Sequence, residues 1–394
     1  MLPASSGARR AIAAASALIV LAISPGAASA ATSERQWHTV PGPQVPSGDS
    51  ANLTALAMAD PDQGWAAGFV LPNNPAEGGF EPLLASWNGR RWSVVRVDTG
   101  SASGRLDGLA AASPDDVWAV GTAFSGRGVA RPLILHWNGR RWTRTPAPSP
   151  HGVQAVSLLG VAARSASDAW AVGQQETSTA MVSPVIEHWN GRAWHLVRVP
   201  DLAPFRQAGL SSVTIAADGQ AWAVGVPFDN SQRPLVLRWT GRAWTLALTP
   251  ASSGDVMADG VTALGDSDVW TVGTISSGSG GAFHAYAAHW NGRRWAVARV
   301  PAPGPADNAA GFQSVAAIGG GRLAAVGTDL GPVTGAALYG WWNGRAWSVR
   351  VGPMSRADAD LSAVAFDGRR TIWTVGTSSP SPQTFVPLVQ VRKL

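Results

Sequence analysis

Cysteine is absent from this 394-residue chain. No disulfide framework can hold it together, and thiolate metal sites and cysteine nucleophiles are excluded. Stability must come from burial, which a chain of this length can supply. Lysine is almost absent too: Lys393 is the only one, and every other basic side chain is arginine. Tyrosine is scarce, with two against twenty tryptophans, so the tryptophans point to a repeated motif. No segment carries a helical period, and no long apolar run exists. The longest, residues 11–23, is shorter than the ~20 residues of a spanning helix.

That run follows Arg9 and Arg10 and precedes Ala28-Ser29-Ala30. The order is that of a secretory signal peptide. Residues 1–30 are read as the signal, cleaved after Ala30, and residues 31–394 as one secreted, extracellular domain with no membrane span after signal removal. No cysteine at the boundary allows lipid attachment.

A repeat fills the mature part. Trp87-Asn88-Gly89-Arg90-Arg91-Trp92 returns at 137–142, 189–194, 239–244, 290–295 and 342–347, with Thr240 the only break in the Asn-Gly pair. A second motif, such as Trp118-Ala119-Val120-Gly121, ends on Gly68, Gly121, Gly173, Gly225, Gly273, Gly327 and Gly376, 48 to 54 residues apart. Each unit reads as four short strands. In the second unit these are 106–111, 117–122, 132–137 and 141–145, joined by turn-rich segments. Seven four-stranded meanders predict an all-β, seven-bladed β-propeller.

The Asn-Gly pair predicts a two-residue type I′ turn, which sets Trp137 opposite Arg140 and Leu135 opposite Trp142. The paired indoles then share one sheet face. Because they recur in nearly every unit, packing between blades explains them better than a sugar-binding platform. The last unit has strands at 361–366, 372–377 and 386–391 and lacks a fourth. Residues 35–41 resemble the missing strand, so the N-terminal segment is expected to close the ring and leave no open edge.

Asp116 to Gly121 followed by His136 to Gly139 resembles the repeats of exported actinobacterial and Chloroflexi proteins, and more loosely the kelch repeats of galactose-oxidase-type propellers. Here Val120-Gly121 stands where kelch has a Gly doublet. The resemblance implies a propeller and export. It implies no chemistry: a radical-copper oxidase of the galactose-oxidase kind needs a Cys-Tyr crosslink, and there is no cysteine.

Candidate function therefore rests on position. Eleven residues before the second-strand tryptophan position, the units carry Thr54, Asp107, Leu159, Ser211, Asp259, Gln313 and Ser362. Six are polar, and they are expected to line the mouth of an axial funnel. Small residues follow each: Ala55, Gly108, Gly160, Ser212, Gly260, Ser314 and Ala363, as crowding near an axis requires. The variable loops at 71–81, 174–183 and 200–209 are the other candidate surface.

His136, His188 and His289 are equivalent copies and read as structural; no histidine spacing suggests a metal, and no cofactor is expected. Ser167-Asp168 and Ser267-Asp268 lack the glycine of a sialidase Asp-box turn. Nine arginines in the Asn-Gly turns share a face with nine aspartates in or beside the turns between first and second strands. These charges are expected to cancel in exposed pairs, so nucleic acid is not an expected partner despite the net +5. The expectation is a monomeric, non-catalytic binding or scaffold module for a carbohydrate or protein. The alternative is a polysaccharide-active hydrolase or lyase using the loop-rich face; a hydrolase with paired carboxylates could use Asp107 and Asp259, three blades apart around the ring.

Overall fold

The computed structural model describes residues 36–394 except 74–78, 102, 127, 230, 277–281, 304–308, 331–334, 353–357 and 382–383. The signal-peptide reading of residues 1–30 lies outside the described residues, as do parts of the 71–81 loop.

Seven four-stranded antiparallel sheets form the blades. The first consists of Ser50–Asp60, Gln63–Leu71, Glu81–Trp87 and Trp92–Val94. The other complete blades repeat that order. The innermost strand of each blade touches the innermost strands of both neighbours, and these contacts run unbroken around the ring. Second strands are covered on both faces because each sheet lies between two others. Asp116–Phe124, for example, is buried over all but its last residue. This explains why they read as continuous apolar runs.

The seventh blade is shared between the chain ends. Asp358–Phe366, Thr371–Ser381 and Thr384–Lys393 supply three strands, and His38–Val40 supplies the outermost. His38, Thr39 and Val40 pair with Val391, Gln390 and Val389. Tyr339 Oη in the sixth blade donates to Gln390 Oε1 at 2.5 Å, fastening the seam.

Tryptophans fill the wedge between blades. Trp65 of the first blade lies 4.9 and 5.1 Å from Trp137 and Trp142 of the second, the latter edge-on. Trp118, Trp170, Trp222, Trp270 and Trp373 repeat the contact on the pair in the following blade, at 4.5–6.0 Å. These are favourable tilted and edge-to-face separations. The three equivalent histidines are structural in geometry. His136 lies 4.0 Å from the Trp118 ring and its Nε2 bonds Asp116 Oδ1 at 2.7 Å; His188–Asp168 and His289–Asp268 repeat the bond at 2.9 and 2.8 Å.

Two sequence expectations need correction. Trp137 pairs directly with Trp142, and Leu135 with Arg144, so the hairpin loop has four residues. Asn138 Oδ1 accepts from the backbone N–H groups of Arg140 and Arg141, each at 3.1 Å. Gly139 alone takes positive φ, at 83°. The asparagine acts as a side-chain cap, not as the first left-handed residue of a type I′ turn. The expected ion pairs of the turn face are not formed either. Among the described residues, none of the nine turn arginines is within ion-pair distance of a carboxylate. The aspartates serve the turns and histidines instead: Asp367 Oδ1 accepts from the backbone N–H groups of Arg369, Arg370 and Thr371.

Candidate functional site

Each inner strand carries a β-bulge, and in every blade the extra residue is the candidate site residue. In the second blade Leu106 pairs with Gly121 and Gly108 with Val120, leaving Asp107 between them without a cross-strand partner. The same slip isolates Thr54, Leu159, Ser211, Asp259, Gln313 and Ser362. A bulge re-aims the extra side chain. Here it turns all seven into one axial cavity of about 160 Å³.

The bulge also explains the repeated glycine. At Gly68, Gly121, Gly173, Gly225, Gly273, Gly327 and Gly376, a Cβ would lie 1.9–2.0 Å from the carbonyl oxygen two residues before the bulged position. No side chain fits there. The small residue after each bulge has a different cause, namely contact with the next blade. A Cβ on Gly160 would meet the Ser211 carbonyl oxygen at 2.8 Å and the Ser212 Cα at 3.0 Å.

The site residues sit mid-strand: Asp107 is central in Ser103–Ser113, and Gln313 is central in Ala309–Ala317. They form a girdle part-way down the axis rather than a rim at its mouth. Several are engaged with neighbours. Thr54 Oγ1 donates to the Leu106 carbonyl of the next blade at 2.6 Å. Gln313 Nε2 donates to Asp360 Oδ1 across the sixth and seventh blades at 3.1 Å, and Asp360 also accepts from Thr328 Oγ1. Arg105 Nε donates to Asp107 Oδ2 at 3.1 Å.

Burial pushes the Asp107 carboxyl up to about 6, with the Arg105 guanidinium holding it back from rising further. Asp259 has no such cation, and burial alone raises it to about 7. A carboxyl at that value is partly protonated near neutrality, so it both donates and accepts hydrogen bonds. Ser211, on the adjacent blade, presents a hydroxyl to the same cavity.

Arg105 was not singled out from the sequence, although it lies two residues from Asp107. Glu187 was also missed. It is 0% exposed, faces the packing between blades, and neither carboxyl oxygen has a hydrogen-bond partner. Burial raises it to about 8. The signal for Glu187 was the repeat itself: equivalent positions hold Leu135 and Leu237. Among the described residues, no three histidine or carboxylate side chains gather as a metal site.

No protein-family model and no curated protein sequence matches this chain. Solved structures do. YCF48 from Cyanidioschyzon merolae aligns with TM-score 0.54 and 17% identity over 90% of this chain and 98% of its own. The BP39L lectin from Burkholderia pseudomallei gives 0.56 and 13% over 87% and 96%. A GH74 xyloglucanase from Xanthomonas campestris gives 0.57 and 14% over 90% of this chain but only 55% of the enzyme. At these identities the likeness is one of fold.

Proposed function

We propose that this protein is a secreted, monomeric, non-catalytic propeller module that binds an extracellular carbohydrate or protein through the axial girdle. The observation that carries the reading is the convergence of seven bulged residues on one cavity, six of them polar. A bulge retained at the same step of every blade, with an obligatory glycine opposite, is a device for aiming side chains inward. At about 160 Å³ the cavity holds roughly five waters at ~30 Å³ each. That suits the end of a ligand, such as a terminal sugar or one protein side chain. Asp259, Ser211 and Ser362 are its principal contacts, because Thr54, Asp107 and Gln313 already have partners.

Two similar folds bear on the ligand class only by analogy. One is the BP39L lectin; the other is a further YCF48 structure, bound to the D1 peptide, at TM-score 0.53 and 14% identity over 91% of this chain and 96% of that one. A hydrolase or lyase reading draws on Asp107 and Asp259 facing one cavity with raised values. The Arg105 ion pair weighs against it, since it keeps Asp107 occupied. Nucleic acid is not part of the proposal.

The test is a glycan and peptide array followed by product analysis on every ligand found. Binding that Asp259→Asn and Ser211→Ala weaken, without release of fragments, supports the module. Cleavage of a bound glycan overturns the non-catalytic reading. Binding untouched by both substitutions removes the girdle from it.

A further inference from the structure

The tryptophan packing is broken at one of the seven blade interfaces. At six of them the second-strand tryptophan of one blade inserts against a tryptophan pair in the next. Between the sixth and seventh blades, two of the three tryptophan positions have changed. The inserting residue is Ala324, paired with Trp341 as Trp118 is paired with His136. The receiving pair is Arg392 and Trp37: Arg392 pairs with Ile372 as Trp137 does with Val117, and Trp37 precedes the closing strand. So an indole is lost at 324 and another is replaced by a guanidinium at 392, while Trp341 stands where three other blades carry a histidine.

Ala324 itself stays buried, packed with Tyr339 beneath Trp37 and Trp341. Trp37 leans over Tyr339 at 4.8 Å and Trp341 at 6.0 Å, and the Arg392 guanidinium carbon lies 4.1 Å from the Trp341 ring centre. What remains is a cleft of about 690 Å³ at the seam. That is several times the axial cavity and within the usual ~300–1,000 Å³ range of ligand pockets. Its walls combine half-buried indole surface from Trp37 and Trp341 with guanidiniums from Arg322, Arg350 and Arg392. Among the described residues, neither Arg322 nor Arg350 is paired with a carboxylate. Amide and hydroxyl groups of Gln36, Asn343 and Ser348 complete the lining.

We infer that this seam cleft is a second binding site, for an acidic sugar of the uronate type. Aromatic surface suits the apolar C–H face of a pyranose. A planar guanidinium matches a carboxylate as a two-pronged donor. The amides and hydroxyls suit ring hydroxyls. This inference is independent of the axial girdle reading.

The experiment uses calorimetric titration of the full mature protein with a galacturonate trisaccharide, a neutral galactose trisaccharide and AMP. The acidic trisaccharide is expected to bind at least tenfold more tightly than either of the others. Exposed Arg350→Gln should weaken it tenfold or more with unchanged melting temperature. Asp259→Asn should leave it unchanged, which separates this site from the axial one. No binding of the acidic trisaccharide, equal binding of the neutral one, tighter binding of AMP, or an unaffected Arg350→Gln variant overturns the inference.

Discussion

Gly121 faces Leu106 across the second blade with the carbonyl oxygen of Arg105 occupying the place of its Cβ, 2.0 Å from where that atom would be. Six other blade glycines stand in the same relation to their own bulges. The glycine and the inward-aimed residue are two halves of one backbone arrangement.

Gly121→Ala is therefore expected to destabilise the fold by about 3 kcal/mol or to flatten the bulge. The obstacle is backbone, which cannot step aside as a flexible side chain can. Gly126→Ala is the control, since a methyl group there would meet nothing within 4 Å, and its effect should stay within ~0.5 kcal/mol. Urea unfolding of both variants checks the contrast. Equal stability of the two would contradict the steric account.

Deleting residues 31–43 should open the seventh blade. The deletion removes the pairing of residues 38–40 with Val391, Gln390 and Val389 and the stacking of Trp37 on Tyr339. Losing burial of Trp37 and Val40 alone costs about 3 kcal/mol. A melting temperature equal to that of the undeleted protein would refute strand closure.

Glu187 makes stability fall with rising pH. Its folded-state value of about 8 lies above the ordinary 4.5, so the folded state favours the protonated form. Below pH 4.5 the group is protonated in both states and exacts no penalty. The penalty grows between pH 4.5 and about 8 and is complete above that, reaching at most about 5 kcal/mol. Glu187→Gln, or Glu187→Leu to match Leu135 and Leu237, should stabilise the protein strongly at pH 9 and little at pH 4. Denaturant midpoints at the two pH values measure this. Asp259 acts with the same sign between 3.8 and about 7.

Arg105→Leu should raise the Asp107 carboxyl further above about 6, because the guanidinium both attracts its charge and donates to it. Carboxyl carbon NMR titration reads the shift directly. No upward movement would show that the pair seen here is not held in solution.

Much of the architecture was legible in the sequence. Trp-Asn-Gly and Val-Gly recur at blade spacing, and residues 35–41 could be matched to the strand missing after Val391. The side-chain set at 54, 107, 159, 211, 259, 313 and 362 could be aligned, but its inward aim could not be explained. That required knowing which residue each repeat glycine faces, and pairing register is set by two strands together. The hairpin failed for a local reason, because Asn138 used its side chain where its backbone was expected to act. The seam cleft was not legible at all. Trp37, Ala324, Trp341 and Arg392 lie hundreds of residues apart at the extremes, and each looks like ordinary repeat drift until ring closure brings them together.

Closure by His38–Val40 also sets an order of events on the ribosome. The outermost strand of the last blade precedes every other described strand along the chain, yet its partner, Thr384–Lys393, follows them all. Six blades can pair locally as they emerge, while the strand at residues 38–40 must wait for all six. The final step joins Thr39 to Gln390, 351 residues apart in sequence, a contact with a high loop-closure cost and a slow rate. Until it forms, Thr384–Lys393 presents an unpaired edge, so the nearly finished ring is the stage of synthesis most exposed to pairing with another chain.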